Sequence, residues 1–306
     1  MIRNKKILVT GVCGFLGHNL AKRLLENDNE IFGIDKMGNS ERIKDLLSKI
    51  NFLEGDLSKK HVFEKVPNDI DYILHFGSPA SIILFNKDPF GCFSTTVNSM
   101  FNVLEFAKKI EVVKLVYPST ASVYAGNENP HSENILPKPR NTYGAAKLAC
   151  EGLASAYYHY VNSTGLRIFA VYGPGEENKL DCASVVYLFL NEIKNKRKPI
   201  IYGDGTQTRD FIYIDDAIDG IINSLESNYN GVINVGSGKS TSFNQIIEII
   251  SSILEKKIDP KYIEKKINYV ENLKADISLM QMILKIRPRE IQQGIKEFSS
   301  YLGLFD

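Results

Sequence analysis

Two residues four apart carry the most reactive chemistry in this sequence: Tyr143 and Lys147, in Tyr143-Gly144-Ala145-Ala146-Lys147. On a helix, positions i and i+4 share a face. A free phenol has a pKa of about 10 and is a poor base at neutral pH. A nearby ammonium favours the phenolate and lowers that pKa. Tyr143 is thereby a candidate general base toward a hydroxyl proton, and the small residues between the two leave room for ligands. The pair alone is a weak signal, because 15 tyrosines make chance matches easy. The stretch Pro118-Ser119-Thr120-Ala121-Ser122-Val123-Tyr124 strengthens it. It ends a run of strand character, where ligand contacts gather in an open parallel sheet. Thr120 can hydrogen-bond the same substrate oxygen as Tyr143. Local turn capping is the alternative use of Ser119 and Thr120.

A second constellation binds rather than reacts. Thr10-Gly11-Val12-Cys13-Gly14-Phe15-Leu16-Gly17 joins a strand-like run, KILVT, to an amphipathic segment. A turn there needs glycine for a positive φ, for close approach of a pyrophosphate and for helix–strand packing. The helix N-terminus adds free N–H groups and partial positive charge for phosphates. Cys13 reads as a small loop residue. Asp35 closes the second strand-like run. A carboxylate there accepts from adenosine ribose hydroxyls and repels a 2′-phosphate, which favours NAD over NADP; a surface turn is its alternative use. Asp56, before Leu57, either faces the adenine edge or caps its strand.

These residues need a scaffold that brings strand ends together. Strand runs are expected at Lys6–Thr10, Glu30–Ile34, Asn51–Glu54, Asp71–Phe76, Val112–Tyr117 and Leu166–Ala170. Helical spacing separates them at Gly14–Asn27, Pro89–Ile110 and Tyr143–Asn162. Such alternation predicts an α/β fold, a doubly wound parallel sheet with helices on both faces. After Tyr172 the rhythm breaks at Gly173–Asp181. Shorter strands are expected at Pro199–Tyr202, Phe211–Ile214 and Val232–Val235, then a mainly helical tail ending in a helix started by Pro288. The expected division is a dinucleotide-binding domain over residues 1–170, with return segments at about 211–235, and a smaller substrate domain over 171–210 and 236–306.

Composition narrows the partners. A net charge of +1 offers no bulk attraction for nucleic acid or an anionic membrane. The Lys runs at 194–198, 256–257 and 265–266 read as solvated faces. No apolar run approaches the roughly 18 residues of a membrane span, and ILV near the N-terminus is too short for a signal peptide. Cys13, Cys92, Cys150 and Cys182 match neither a disulfide framework nor a metal site. The histidines form no HExxH pair, so no metal is expected. The expected location is the cytoplasm.

Taken in order, the glycine turn, Asp35, the Ser/Thr segment and the Tyr/Lys pair resemble the extended short-chain dehydrogenase/reductase family, within it the nucleotide-sugar epimerases and dehydratases, especially UDP-glucose 4-epimerase-like proteins. TGVCGFLG, STASVY, YGAAKLACE, VYGPG, YGDGTQTRDFIYIDD, INVGSG and KADIS look like family landmarks across nearly the whole chain. The resemblance implies a Rossmann domain in which Gly11, Gly14, Phe15, Leu16 and Gly17 hold the NAD pyrophosphate. It implies Asp35 on ribose, Asp56 and Leu57 by the adenine, Ser78 beside the cofactor, and Thr120, Tyr143 and Lys147 as the catalytic set, the last two also touching NAD. Ser81, Thr120, Tyr143, Tyr202, Arg209 and Lys266 would meet a nucleotide sugar, UDP-linked by family analogy, with Arg209 gripping its diphosphate. An ion pair with Asp210 or Asp215 is the other use of Arg209. The family further implies homodimerisation through the helices near Pro89–Ile110 and Tyr143–Asn162. Ala121 and Ser122 stand where dehydratases carry an acidic pair and decarboxylases a Glu. The implied activity is therefore 4-epimerisation by transient oxidation at C4, with dehydratase, decarboxylase or 4-keto reductase chemistry, or a non-catalytic dinucleotide-binding protein, as the alternatives.

Overall fold

Seven parallel strands form the centre of the molecule. The computed structural model describes residues 2–36, 40–264 and 272–305. The strands are β1 (Lys6–Thr10), β2 (Glu30–Asp35), β3 (Asn51–Glu54), β4 (Tyr72–His75), β5 (Lys114–Thr120), β6 (Ser163–Ile168) and a last strand, Gly231–Val235. Their order across the sheet is β3-β2-β1-β4-β5-β6 and then Gly231–Val235. The direction of winding reverses between β1 and β4, the crevice where open α/β sheets bind ligands.

Ile7, Leu8 and Val9 of β1 are all fully buried, as a central strand covered on both faces requires. Their alternation assigns them to two cores. Ile7 and Val9 pack with Leu20 and Leu24 of helix α1 (Phe15–Leu25) and with Ile218 and Ile221 further along the chain. Leu8 packs on the other face with Met100, Val103 and Leu104, and with Cys150 and Ala154. Those residues lie on two long helices. After the short helix α2 (Ile82–Lys87), α3 (Pro89–Lys109) starts at Pro89 with the Asp88 carboxylate accepting from Gly91 N–H. Helix α4 (Thr142–Ala156) starts under an Asn141 cap that accepts from Gly144 N–H at 2.8 Å.

Several boundaries differ from expectation for physical reasons. α4 stops at Ala156 rather than Asn162. The aromatic run that follows is a poor helix former, and the chain must reverse to enter β6 at Ser163. The strand expected over Leu166–Ala170 is split. Phe169 N–H turns to the Val235 carbonyl, and Ala170–Tyr172 leaves the sheet to pair in parallel with Phe211–Tyr213. The return run therefore does not join the central sheet. Helix α5 (Val185–Lys194) precedes it, and α6 (Ile214–Glu226) follows and contributes Ile218 and Ile221 to the first core. Pro288 does not start the final helix either. Arg289 N–H and guanidinium are held by Asp216, which delays the helix, and Ile291–Tyr301 begins after Glu290, whose side chain makes no cap.

Candidate active site

The glycine turn does what its residue types require. Gly11 has φ +70°, and a Cβ there would lie 2.5 Å from the Phe76 carbonyl oxygen. A Cβ on Gly17 would fall 2.1 Å from the Gly11 carbonyl oxygen. α1 can reach β1 this closely only because both are glycine. Gly14 caps α1 with no side-chain hydrogen bond. The N–H groups of Phe15 and Leu16 find no acceptor among the described residues. An open helix end with free N–H groups and no side chain over it fits a pyrophosphate.

Asp35 closes this cradle from the side, accepting from Cys13 N–H at 2.9 Å and from Lys36 N–H at 2.7 Å. Burial, then the Asp35 charge, pushes the Cys13 thiol up to about 12. It is a neutral packing residue. Asp56 accepts from Ser58 N–H at 2.9 Å and stands 3.8 Å from the Lys36 ammonium. Burial raises its pKa, but the Ser58 bonds and that cation outweigh it, so the carboxyl sits below its ordinary value. The strand-end cap is thus realised at the rim where adenine was expected. Leu57 is buried beside Gly77, where an added Cβ would meet it at 2.2 Å.

The reactive residues converge from β4, β5 and α4. Lys147, 3% exposed, donates to Ser78 Oγ at 2.8 Å. Tyr143 lies one turn earlier, its ring packed on the buried Phe85 ring with centroids 5.3 Å apart. Thr120 caps the turn after β5, accepting from Ser122 N–H at 3.2 Å, and its hydroxyl is close enough to the Tyr143 phenol to favour the phenolate. The turn-capping use of Thr120 is thus realised. The expectation that Lys147 lowers the Tyr143 pKa is corrected. Burial lifts the phenol above 10.0, and Thr120 is the group that opposes the rise. In this geometry the ammonium is spent on Ser78 and is itself lowered by burial. His75, at the end of β4, is pushed down to about 3 by burial and then by the Lys147 charge. It stays neutral, sharing a 2.8 Å hydrogen bond with Thr10 Oγ1.

The residues proposed for substrate stand on different supports. Ser81 caps α2 by accepting from Leu84 N–H at 3.1 Å, with its hydroxyl 3.1 Å from Cys182 Sγ. Tyr202 ends the strand Ile200–Tyr202, which pairs with Lys261–Ile263. Arg209 lies on Thr208–Arg209, its guanidinium 5.7 Å from the Phe243 ring centre. The two carboxylates weighed as its partners have other work. Asp210 accepts from the N–H groups of Ser237, Gly238 and Ala275, and Asp215 stands 3.2 Å from Arg23. Lys266 lies outside the described residues. No cluster of metal-binding side chains occurs among the described residues. None of their helices is long and apolar enough to cross a membrane.

Sequence reasoning missed a buried pair behind the site, Glu151 and Arg167, 2.7 Å apart. The available signals were a carboxylate four residues past Lys147 and an arginine between Leu166 and Ile168.

Known proteins resemble the whole chain. The sequence profile of the NAD dependent epimerase/dehydratase family matches residues 7–236. UDP-glucuronate 4-epimerase of Thermodesulfobacterium geofontis is 32% identical over 94% of this chain and 93% of its own. UDP-N-acetylglucosamine 4-epimerase from Methanobrevibacter ruminantium, solved with UDP-N-acetylmuramic acid, superposes with a TM-score of 0.91 at 30% identity, over 98% of this chain and 99% of that one. UDP-glucuronic acid 4-epimerase from Bacillus cereus, solved with UDP-glucuronic acid and NAD, gives 0.86 at 29% identity, over 98% and 100%.

Proposed function

Given that the chain belongs to the NAD dependent epimerase/dehydratase family, we propose that it is a UDP-sugar 4-epimerase. The observation that carries this is Thr120, Tyr143, Lys147 and Ser78 gathered at the strand ends beside the glycine cradle, with Ala121 and Ser122 where acidic helpers would stand. Gly11, Gly14, Phe15, Leu16, Gly17, Asp35, Asp56, Leu57 and Ser78 are assigned to NAD. Ser81, Tyr202, Arg209 and Lys266 are assigned to the nucleotide sugar, which the unit of residues 171–210 and 236–306 receives.

Bound in the cradle, NAD would supply reversible hydride acceptance. Tyr143 takes the proton of the sugar C4 hydroxyl and later returns it. Thr120 holds the same oxygen and stabilises the phenolate with its own hydroxyl. Lys147, one helical turn from Tyr143 and bonded to Ser78, is the cation assigned to this site. Without an acid at 121 or 122, neither elimination of water nor loss of a carboxyl group has a local helper, so the C4 ketone is reduced back to a hydroxyl.

A homodimer is part of this reading. Phe90, Phe93 and Phe101 on α3 are exposed, Phe90 by 83%, and a second copy would cover them. A cytoplasmic location is supported by four free cysteines. The test is incubation with UDP-glucose, UDP-N-acetylglucosamine and UDP-glucuronate in the presence of NAD. At least one should be converted to its C4 epimer without net NADH. The change Tyr143→Phe should lower turnover by about 10²–10⁴-fold while NAD still binds. Stoichiometric NADH without epimer would sink the proposal in favour of a net dehydrogenase. A native protein that converts none of these sugars, and binds NAD as Tyr143→Phe does, would indicate a binding protein.

A further inference from the structure

Glu151 follows Lys147 by four residues on α4, the spacing at which a carboxylate and an ammonium on one helix meet. The structure gives Glu151 other partners. Its Oε1 accepts from Ser119 Oγ at 2.5 Å and from Arg167 Nε at 2.9 Å, and its Oε2 accepts from Arg167 Nη2 at 2.7 Å. Ser119 lies on β5 and Arg167 on β6, so the sheet itself holds the carboxylate. Arg167 Nη1 donates to the Tyr124 hydroxyl at 2.7 Å, and that hydroxyl donates to Asn234 Oδ1 at 2.9 Å. The pair is buried, with side chains 4% and 8% exposed. Lys147, meanwhile, donates to Ser78.

A buried carboxylate requires a cation. Take away the guanidinium, and Lys147 is the remaining cation on the same helix face. We infer that Arg167 is a positioning residue for the proton transfer. It keeps Glu151 occupied, which leaves the Lys147 ammonium for Ser78, Tyr143 and the ligands. Arginine suits the task because it is charged at every working pH and grips both carboxylate oxygens at once. This inference rests on the reading of Tyr143 as the acid–base group.

The ionisable groups facing these residues are His75 from β4, Tyr117 from β5, Tyr124 from the turn after β5, Cys150 from α4 and Glu133 beside Arg167. His75 is neutral above about pH 3. Burial pushes Tyr117 and Cys150 above their ordinary values and Tyr124 to about 12. Burial also raises Glu133, which every variant below retains.

The experiment is the pH dependence of kcat/KM for C4 epimerisation in the native protein, Arg167→Gln, and the neutral pair Glu151→Gln with Arg167→Gln. Releasing Glu151 onto Lys147 should raise the acidic limb by about one pH unit or more in Arg167→Gln. The neutral pair has no carboxylate to release, so its limb should return to within a few tenths of a unit of native, whatever its absolute rate. A native limb in Arg167→Gln overturns the inference, and so does an equal displacement in both variants, which would mark a purely structural role. Should Arg167→Gln fail to fold, Ser119→Ala removes one of the three donors and should move the limb the same way by less. Adding Glu151→Gln to Ser119→Ala should move it back, and no movement in either overturns the inference. If Tyr143→Phe retains native turnover, the acid–base reading itself has failed. If that variant is inactive and the limbs do not move, only the role of Arg167 has failed.

Discussion

Gly144, the residue after the candidate base, sets how closely the catalytic helix approaches the Ser/Thr turn. A Cβ at this position would lie 2.7 Å from the Ser122 carbonyl oxygen, 3.0 Å from its carbon and 3.2 Å from Pro139 Cβ. An ordinary contact begins at 3.4 Å, so in Gly144→Ala the start of α4 must retreat by about 0.7 Å. Tyr143 moves with it, away from Thr120. A misplacement of about 1 Å can cost about 10²-fold in rate, so the expected loss of kcat is roughly 25-fold. Stability should change little. Alanine gains up to about 1 kcal/mol in helix propensity, against about 1–3 kcal/mol for the overlap, so Tm should fall by a few degrees at most. The assay is initial-rate epimerisation well below Tm, with NAD affinity measured in parallel and expected near native. A Gly144→Ala protein within about threefold of the native kcat would refute the argument that this close approach aligns the phenol.

Two further outcomes follow from other parts of the structure. Lys114 is 1% exposed, has Asn162 Oδ1 and the Tyr229 carbonyl as its acceptors among the described residues, at 2.8 and 2.5 Å, and is pushed down to about 8 by burial. Because the unfolded chain holds that proton up to about pH 10.5, burial costs stability below pH 8, and the cost fades as pH rises from 8 to 10.5. It amounts to about 3 kcal/mol, part of which is offset by the two hydrogen bonds. Denaturant melts should therefore show Lys114→Met more stable by about 1–2 kcal/mol at pH 7, with the gain shrinking by pH 10. For the dimer, Phe93→Glu with Phe101→Glu on α3 should give a monomer in analytical ultracentrifugation while the far-UV spectrum is kept; a native-sized species would place the contact elsewhere.

What could be read from residue order follows a physical line. The glycine turn was legible because its demands are local: a positive φ at Gly11 and close packing at Gly17 depend on neighbours within a few residues. The Tyr143–Lys147 register was legible because helix periodicity is local too. The strand series also followed from pattern, since continuous apolar runs mark strands buried on both faces. The Glu151–Arg167 pair was hidden, because it exists only when β5, β6 and α4 are in register. The direction of the Tyr143 shift was misjudged for a similar reason. Spacing puts the lysine on the right face, but Ser78, reaching over from the end of β4, takes its proton donor. The end of α4 and the delayed start of the last helix were likewise decided by distant partners, β6 and Asp216.

The sheet's far margin has a consequence for biosynthesis. β6 ends at Ile168, and the strand that covers its outer side begins only at Gly231. At about 5–20 residues per second, a nascent chain carries an open hydrogen-bonding seam for roughly 3 to 12 seconds after β6 is made. Unpaired seams recruit other strands, so this interval is when neighbouring chains on one message are most exposed to cross-pairing. Slowing translation between these two strands should lower the soluble yield.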